Sequence, residues 1–558
     1  METCMKLGAM SQELFANPSL VSFVESTYVF KFPAIDAQLQ VVADGQGMDL
    51  NMIKFLLCFF LTYPGALVLG LVDSKFAKIK HMISGGLGIM MMQWVFGSTW
   101  IHSFITTLLT FFICNVAPKR IIGPLAFTVI LGYLVMCHTY AMYINYLRDI
   151  PYVSFPLDFT GAQMVLTMKL TSFAYNYADG YREDLFPTES RRKDMNDKIK
   201  LEENPKKKAA LARLERTRQG HKKYALQPAD HPGLLEFIGY IYCFPTIQVG
   251  PAFEFSHYID IISGKRYEKP KIITKMVDQS DEHEGITVTI GKMIDSNYFV
   301  ASMHRLLIGI VCMASYLYMK SLGYSTFYHY DSDWNASHTM LQRFGHMNLC
   351  LLTERLKYYF IWKLAEGSTI LAGLGFMGYD QKTGESKGHR GAENMDILGF
   401  ERSCNIQSLT KAWNKGTQSW LQRYSYERLG GSLFAVYTIS AAWHGLYPGY
   451  FMFFLTVPLM TQIDRLAKEK LNPIIVPEYD GRNIDTYPSY FTAQVYWYVC
   501  FVGKCVGTNY ATQTFSMGWY ENAITSLREY NHAGHITFLV LWLILMAMPS
   551  TKSKVKKE

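Results

Sequence analysis

The sequence predicts an all-α polytopic membrane protein with roughly 10 to 12 transmembrane helices, and three observations predict it. Charged residues are only 18% of the 558-residue chain, against about 25% in soluble globular proteins. Apolar runs of the ~20 residues needed to cross a hydrocarbon core recur from residue 50 almost to the end. The 37 Tyr, 35 Phe and 28 Met supply a surface that suits an apolar solvent. Disorder, coiled coil and collagen are excluded, and one membrane domain is a better reading than a string of soluble ones.

In chain order, Leu50 to Val72 is the clearest span, with a lone Lys54 near its start. Met82 to Phe96, His102 to Val116, Ile122 to Tyr146 and the more amphipathic Asp158 to Tyr177 follow. Beyond a long polar loop come Gly233 to Val249, Val300 to Met319 and Leu349 to Phe376. Three linked stretches occupy Trp413 to Met460, and the last spans are Tyr490 to Val506 and Ile536 to Met548. The first 30 residues lack a basic stretch leading into an apolar one, so no cleaved signal peptide is expected. The division that follows is a luminal N-terminal segment over 1–49, a membrane domain over 50–549 and a cytosolic tail over 550–558.

Orientation follows from loop charge, because short loops rich in Lys and Arg stay cytoplasmic. Lys75, Lys78 and Lys80 mark the first connection and Lys119 and Arg120 the third, whereas Ser98 to Ile101 carries no basic residue. The N-terminus is then luminal, and the loop from 180 to 232 is cytoplasmic. That loop contains Arg191 to Lys193 and a basic run from Lys206 to Arg218, which either fixes topology alone or also attracts anionic groups. The tail places Lys554 and Lys556 fifth and third from the terminus. This resembles a KxKxx retrieval signal of the endoplasmic reticulum, and a basic flank anchoring the last helix is the other reading. Either puts the C-terminus in the cytosol. Asn335-Ala-Ser337 is a sequon of low specificity. The ten cysteines are scattered, and Cys58, Cys114, Cys137, Cys312 and Cys500 sit in apolar runs as small hydrophobes. No CxxC or Cys/His cluster stands out in the linear spacing, so no metal site is expected.

The stretch that carries chemistry runs from Lys411 to Tyr450. His444 lies in the otherwise apolar Ala435 to Leu446, and Asn414 lies 30 residues earlier (444 − 414), with Gly430-Gly431 between them. Two antiparallel helices joined at that break would bring the two residues to similar depth. An ionisable group inside a membrane helix is a functional candidate, and His suits proton transfer near neutral pH. Taken alone, His444 is equally readable as a structural cross-helix hydrogen-bonder, and Asn414 as helix-to-helix glue.

The surrounding pattern resembles the membrane-bound O-acyltransferase family, in its lysophospholipid acyltransferase branch. It comprises Trp443-His444-Gly445-Leu446-Tyr447-Pro448-Gly449-Tyr450, preceded by Trp413-Asn414 and Trp420-Leu421. Further likeness lies in Asp158-Phe-Thr-Gly161 with Lys169 and Asp179-Gly180, in Val249-Gly-Pro251, and in Arg355-Leu-Lys-Tyr-Tyr-Phe-Ile-Trp362. Gly373-Leu-Gly-Phe376 and Glu393-Asn-Met-Asp-Ile-Leu-Gly-Phe400 extend it. The resemblance implies a membrane core around a buried catalytic chamber, and transfer of an acyl group from acyl-coenzyme A to the free hydroxyl of a lysophospholipid. Acyl-CoA is then a co-substrate, with no cofactor held permanently, and the partners are lysophospholipid and the bilayer, without nucleic acid.

By the same resemblance His444 and Asn414 are the catalytic pair. A hydroxyl attacking a thioester needs a base within hydrogen-bond reach, which His444 supplies. Asn414 either orients His444 or donates to the thioester oxygen. Lys411, Lys415, Arg423 and Arg428 are the candidates for coenzyme phosphates, with snorkelling to the membrane surface as the plainer account. Within the family, a sterol or diacylglycerol acceptor would bring an FYxDWWN signature, which is absent around Trp413-Asn414; a protein acceptor would need a luminal route. A transporter would show paired repeats with interrupted helices, and none is visible.

Overall fold

The computed structural model describes residues 18–147, 158–270, 297–477 and 488–549. Among these the secondary structure is helical, with one isolated antiparallel bridge between Tyr379 and Ser386. Two compact units divide it. Of the described residues, one comprises those up to 308 with 361–393 and 422–428; the other comprises those in 309–360, in 394–421 and from 429 onward.

Among the described residues, four helical segments are long and apolar enough to cross a membrane: Leu50–Leu71, Ser74–Val116, Ile122–Met142 and Tyr298–Ser321. A fifth arises if Tyr520–Glu529 and Ala533–Ala547, bent by 71° at their junction, form one span. Leu50–Leu71 begins where expected because Asp49 caps it, its carboxylate accepting the Asn51 N–H at 2.8 Å. The 43 residues of Ser74–Val116 are about twice one crossing. Ala77–Phe96 and Ile101–Val116 are separated there by a tight turn at Gly97, whose φ of 56° needs glycine.

Other expected spans take different forms. The Asp158 to Tyr177 expectation becomes Thr160–Asp179, and the amphipathic character expected of it is not matched by an exposed polar face, because the helix is buried on nearly every side. Lys169 on it is 1% exposed. Its ammonium donates to the carbonyls of Tyr240 (2.6 Å) and Ile241 (2.9 Å). Those carbonyls are the C-terminal end of Leu234–Ile241, so a buried cation caps a helix end. The expected Gly233 to Val249 span is therefore an eight-residue helix followed by buried turns. Irregular backbone at such depth is tolerated where protein covers it. Around it packs the apolar core of this unit, including Phe173, Phe237, Tyr242 and Phe244. The polar loop folds into the exposed, basic helices Glu189–Leu201 and Pro205–Lys222.

The second unit is built on Pro448–Lys470 and Phe491–Met517, whose core includes Val457, Met460, Tyr510 and Phe538. A Cβ on Gly449 would lie 2.2 Å from the Thr514 carbonyl, so only glycine lets these helices approach so closely. The Asn335 sequon lies here, fully buried, its amide nitrogen donating to the carbonyls of Tyr328 (3.0 Å) and Asp331 (2.7 Å). In the folded chain that side chain is part of the packing of the short helix Ser332–Ser337. None of the described cysteines forms a disulfide. Lys554 and Lys556 lie outside the described residues.

Candidate active site

The route from Asn394 to His444 is a series of short helices where the sequence suggests two long ones. Ile406–Ala412 ends before Trp413, and Lys415–Leu421 begins after Asn414. Asn414 has φ 42°, a left-handed conformation that asparagine tolerates better than other side-chain-bearing residues. Its side-chain oxygen accepts the Thr417 N–H at 3.4 Å and its carbonyl accepts the Gln418 N–H at 3.0 Å. Asn414 is thus the cap of the Lys415–Leu421 helix and lies in no helix itself. Its side-chain oxygen is engaged on the backbone, and its NH2 is the donor it can offer.

Neighbouring segments hold that kink in place. The Lys415 N–H donates to the Asn394 carbonyl (2.8 Å), and the Gly416 N–H to the Asn394 side-chain oxygen (3.2 Å). The Asp396 N–H donates to the Ala412 carbonyl at 3.0 Å. Trp413 packs against Phe400, with ring centroids 5.1 Å apart, and against Tyr359 at 6.2 Å. Glu401 is fixed in turn by Arg355 (2.9 Å) and the Tyr359 hydroxyl (2.6 Å). A second Arg355 N–H reaches Asn509 on Phe491–Met517 at 2.8 Å.

Gln422–Tyr426 winds as a π-helical turn, Gly430 and Gly431 both have positive φ, and Leu433–His444 follows. The expected Gly-Gly break is present. His444 is the last residue of its helix, where Gly445 at φ 127° turns the chain. Aromatic rings surround the imidazole: Phe454 stacks at 5.2 Å, and Phe515 and Trp443 meet it edge-on at 5.1 and 4.7 Å. Trp443 also packs against Trp420 at 6.0 Å. The helix that Asn414 heads and the helix that His444 ends are therefore in contact. Such a half-buried imidazole at a helix end, walled by aromatics, suits an apolar reactant and proton transfer.

The four basic candidates part company. Lys411 is exposed and Lys415 is half-buried next to Asn414. Arg423 donates to Glu254 at 2.5 Å and lies 4.2 Å from the Tyr224 ring centroid. Arg428 donates to both oxygens of Asp179, at 2.5 and 3.1 Å, and lies over the Tyr175 ring. The Tyr424 hydroxyl between them lies at hydrogen-bond distance, 2.9 Å, from both the Asn176 side-chain oxygen and the Glu254 carboxylate. These arginines are committed to carboxylates of the first unit.

A family model described as MBOAT, membrane-bound O-acyltransferase family, matches residues 144–469, more than half of the chain and inclusive of Asn414 and His444. The chain belongs to the membrane-bound O-acyltransferase family. Lysophospholipid acyltransferase 1 of Arabidopsis thaliana is 27% identical over 526 residues, 92% of this chain and 98% of that protein. The lysophospholipid acyltransferase of Saccharomyces cerevisiae is 28% identical over 466 residues, 80% of this chain and 67% of that protein. Membrane-bound glycerophospholipid O-acyltransferase 2 of Gallus gallus is 27% identical over 446 residues, 78% of this chain and 76% of that protein.

In this membrane-bound O-acyltransferase, the supports of Asn414 are what reasoning from the motif alone passes over. Asn394, Arg355 and Glu401 stand in or beside stretches that carry the family likeness. Their role becomes visible only when Asn394 is seen holding the two N–H groups that follow Asn414.

Proposed function

We propose that this chain is an acyl-CoA-dependent lysophospholipid acyltransferase of the endoplasmic reticulum membrane, crossing it roughly ten to twelve times with its C-terminus in the cytosol. The observation that carries this reading is the likeness to the Arabidopsis lysophospholipid acyltransferase over 92% of this chain and 98% of the relative. Loop charge supports the orientation.

In the proposed reaction, the lysolipid hydroxyl oxygen attacks the thioester carbonyl carbon while His444 takes the hydroxyl proton. The carbon–sulfur bond then breaks, coenzyme A leaves as thiolate, and His444 returns the proton to that sulfur. The acyl group passes directly between substrates, without an acyl-enzyme. Asn414 donates its NH2 to the oxygen that gains charge in the transition state; its use of the side-chain oxygen as a cap favours donation over orienting His444. Arg423 and Arg428 are engaged by Glu254 and Asp179; the proposed phosphate contacts are Lys411, which is exposed, and Lys415 beside Asn414.

Purified full-length protein supplied with acyl-CoA and lysophospholipids of different head groups should yield the diacyl product from at least one of them. Acylation of a sterol or diacylglycerol with none of the lysophospholipids, or of no lipid at all, would overturn the reading.

A further inference from the structure

In the second unit, the turn Thr326–His329 brings His329 against the first part of the Met340–Leu371 helix, where His346 and Cys350 stand one turn apart. One ligand atom from each of the three lies within 4.8 Å of the others. The Cys350 sulfur is 3.3 Å from His346 Nδ1 and 3.3 Å from the Ser325 carbonyl. His329 is 0% exposed, and neither of its ring nitrogens has a hydrogen-bond partner. A fully buried imidazole with two unsatisfied nitrogens is costly and rare enough to need a reason.

We propose that His329, His346 and Cys350 form a zinc site, separate from the Asn414 and His444 motif. The donor set is one thiolate and two imidazoles, which suits Zn2+ better than the oxygen-seeking Mg2+ or Ca2+. A tetrahedral ion with bonds of ~2.0 Å to nitrogen and ~2.3 Å to sulfur sets its donor atoms ~3.3–3.6 Å apart. The Cys350–His346 pair already has that spacing, at 3.3 Å, and His329 has to close on it by about 1 Å. A neutral imidazole has a lone pair to give a metal ion. On binding, the Cys350 S–H bond breaks, its proton goes to solvent, and a sulfur–zinc bond forms without change of oxidation state. The ion satisfies one orphaned nitrogen and ties the Thr326–His329 turn to the Met340–Leu371 helix.

The test uses full-length protein in detergent, purified through a tag without histidines and without chelator. Metal analysis should find about one zinc per chain, and Cys350→Ser and His329→Ala should each lower retention at fixed free zinc by ~10-fold or more. Added Co2+ should give the thiolate-to-cobalt charge-transfer absorption in wild type, whether or not zinc survives purification, and not in Cys350→Ser. Wild type that holds no zinc and shows no such band refutes the site. So does zinc retained equally by wild type and both variants. If either variant fails to fold, the wild-type cobalt spectrum decides alone.

Discussion

Asn414 and Arg428 lie in one stretch of sequence, yet their polar groups are used differently. Arg428 sets two guanidinium N–H groups on Asp179, itself 1% exposed. Tyr424 and Arg423 close a second set of bonds onto Glu254 and Asn176. Asn414 stands in a left-handed kink with its oxygen on its own backbone, and His444 ends a helix among aromatic rings. Buried charges matched to charges hold a fold together, whereas Asn414 and His444 stand at helix ends, where the proposed reaction places its reactants. The arginines are held by carboxylates of the fold, and the proposed chemistry rests on the asparagine and histidine.

The largest effect should come from His444. His444→Ala is expected to lower steady-state turnover by ~10²–10⁴-fold, the usual worth of a positioned general base, with the melting temperature of the purified protein unchanged. Asn414 ranks next. Asn414→Gly keeps the left-handed backbone at little cost in capping and removes the donor, so turnover should fall by ~10²–10³-fold in folded protein. Asn414→Asp keeps the cap and offers no NH2; activity near wild type in that variant would show that Asn414 orients His444 instead.

Arg428→Met should reverse the pattern. Removing one partner of a buried pair costs ~3–5 kcal/mol, and the low end applies because Arg182 stays 3.3 Å from Asp179. Denaturation in detergent should show that loss, with turnover per folded molecule unaltered. A stable but inactive Arg428→Met would break the comparison. The smallest effect belongs to Lys411→Gln: an exposed charge contact is worth ~0.2–1 kcal/mol, so KM for acyl-CoA should rise by up to ~5-fold with kcat unchanged. A kcat change without a KM change would remove Lys411 from the coenzyme site.

Legibility in the sequence followed the range of the forces involved. The Leu50–Leu71 helix is visible because an apolar run and its Asp49 cap are local. Leu234–Ile241 is misread as a full span because Lys169, far away in the chain, ends it. His444, Asn414 and the Gly430-Gly431 break are visible as residue types and spacing. The seating of Asn414 outside any helix is not, because Asn394 and Trp413 impose it through tertiary contacts. The cluster of His329, His346 and Cys350 escapes a spacing rule for the same reason: one ligand comes from a separate turn.

Single-turnover mixing of enzyme in excess with labelled acyl-CoA and lysophospholipid tests the central claim most directly, since it separates the chemical step from binding and product release. Wild type should convert bound acyl-CoA to phospholipid rapidly, and His444→Ala should bind both substrates and convert them slower by the same ~10²–10⁴-fold as in steady state. Equal single-turnover rates in the two proteins would contradict the assignment of His444 as the base.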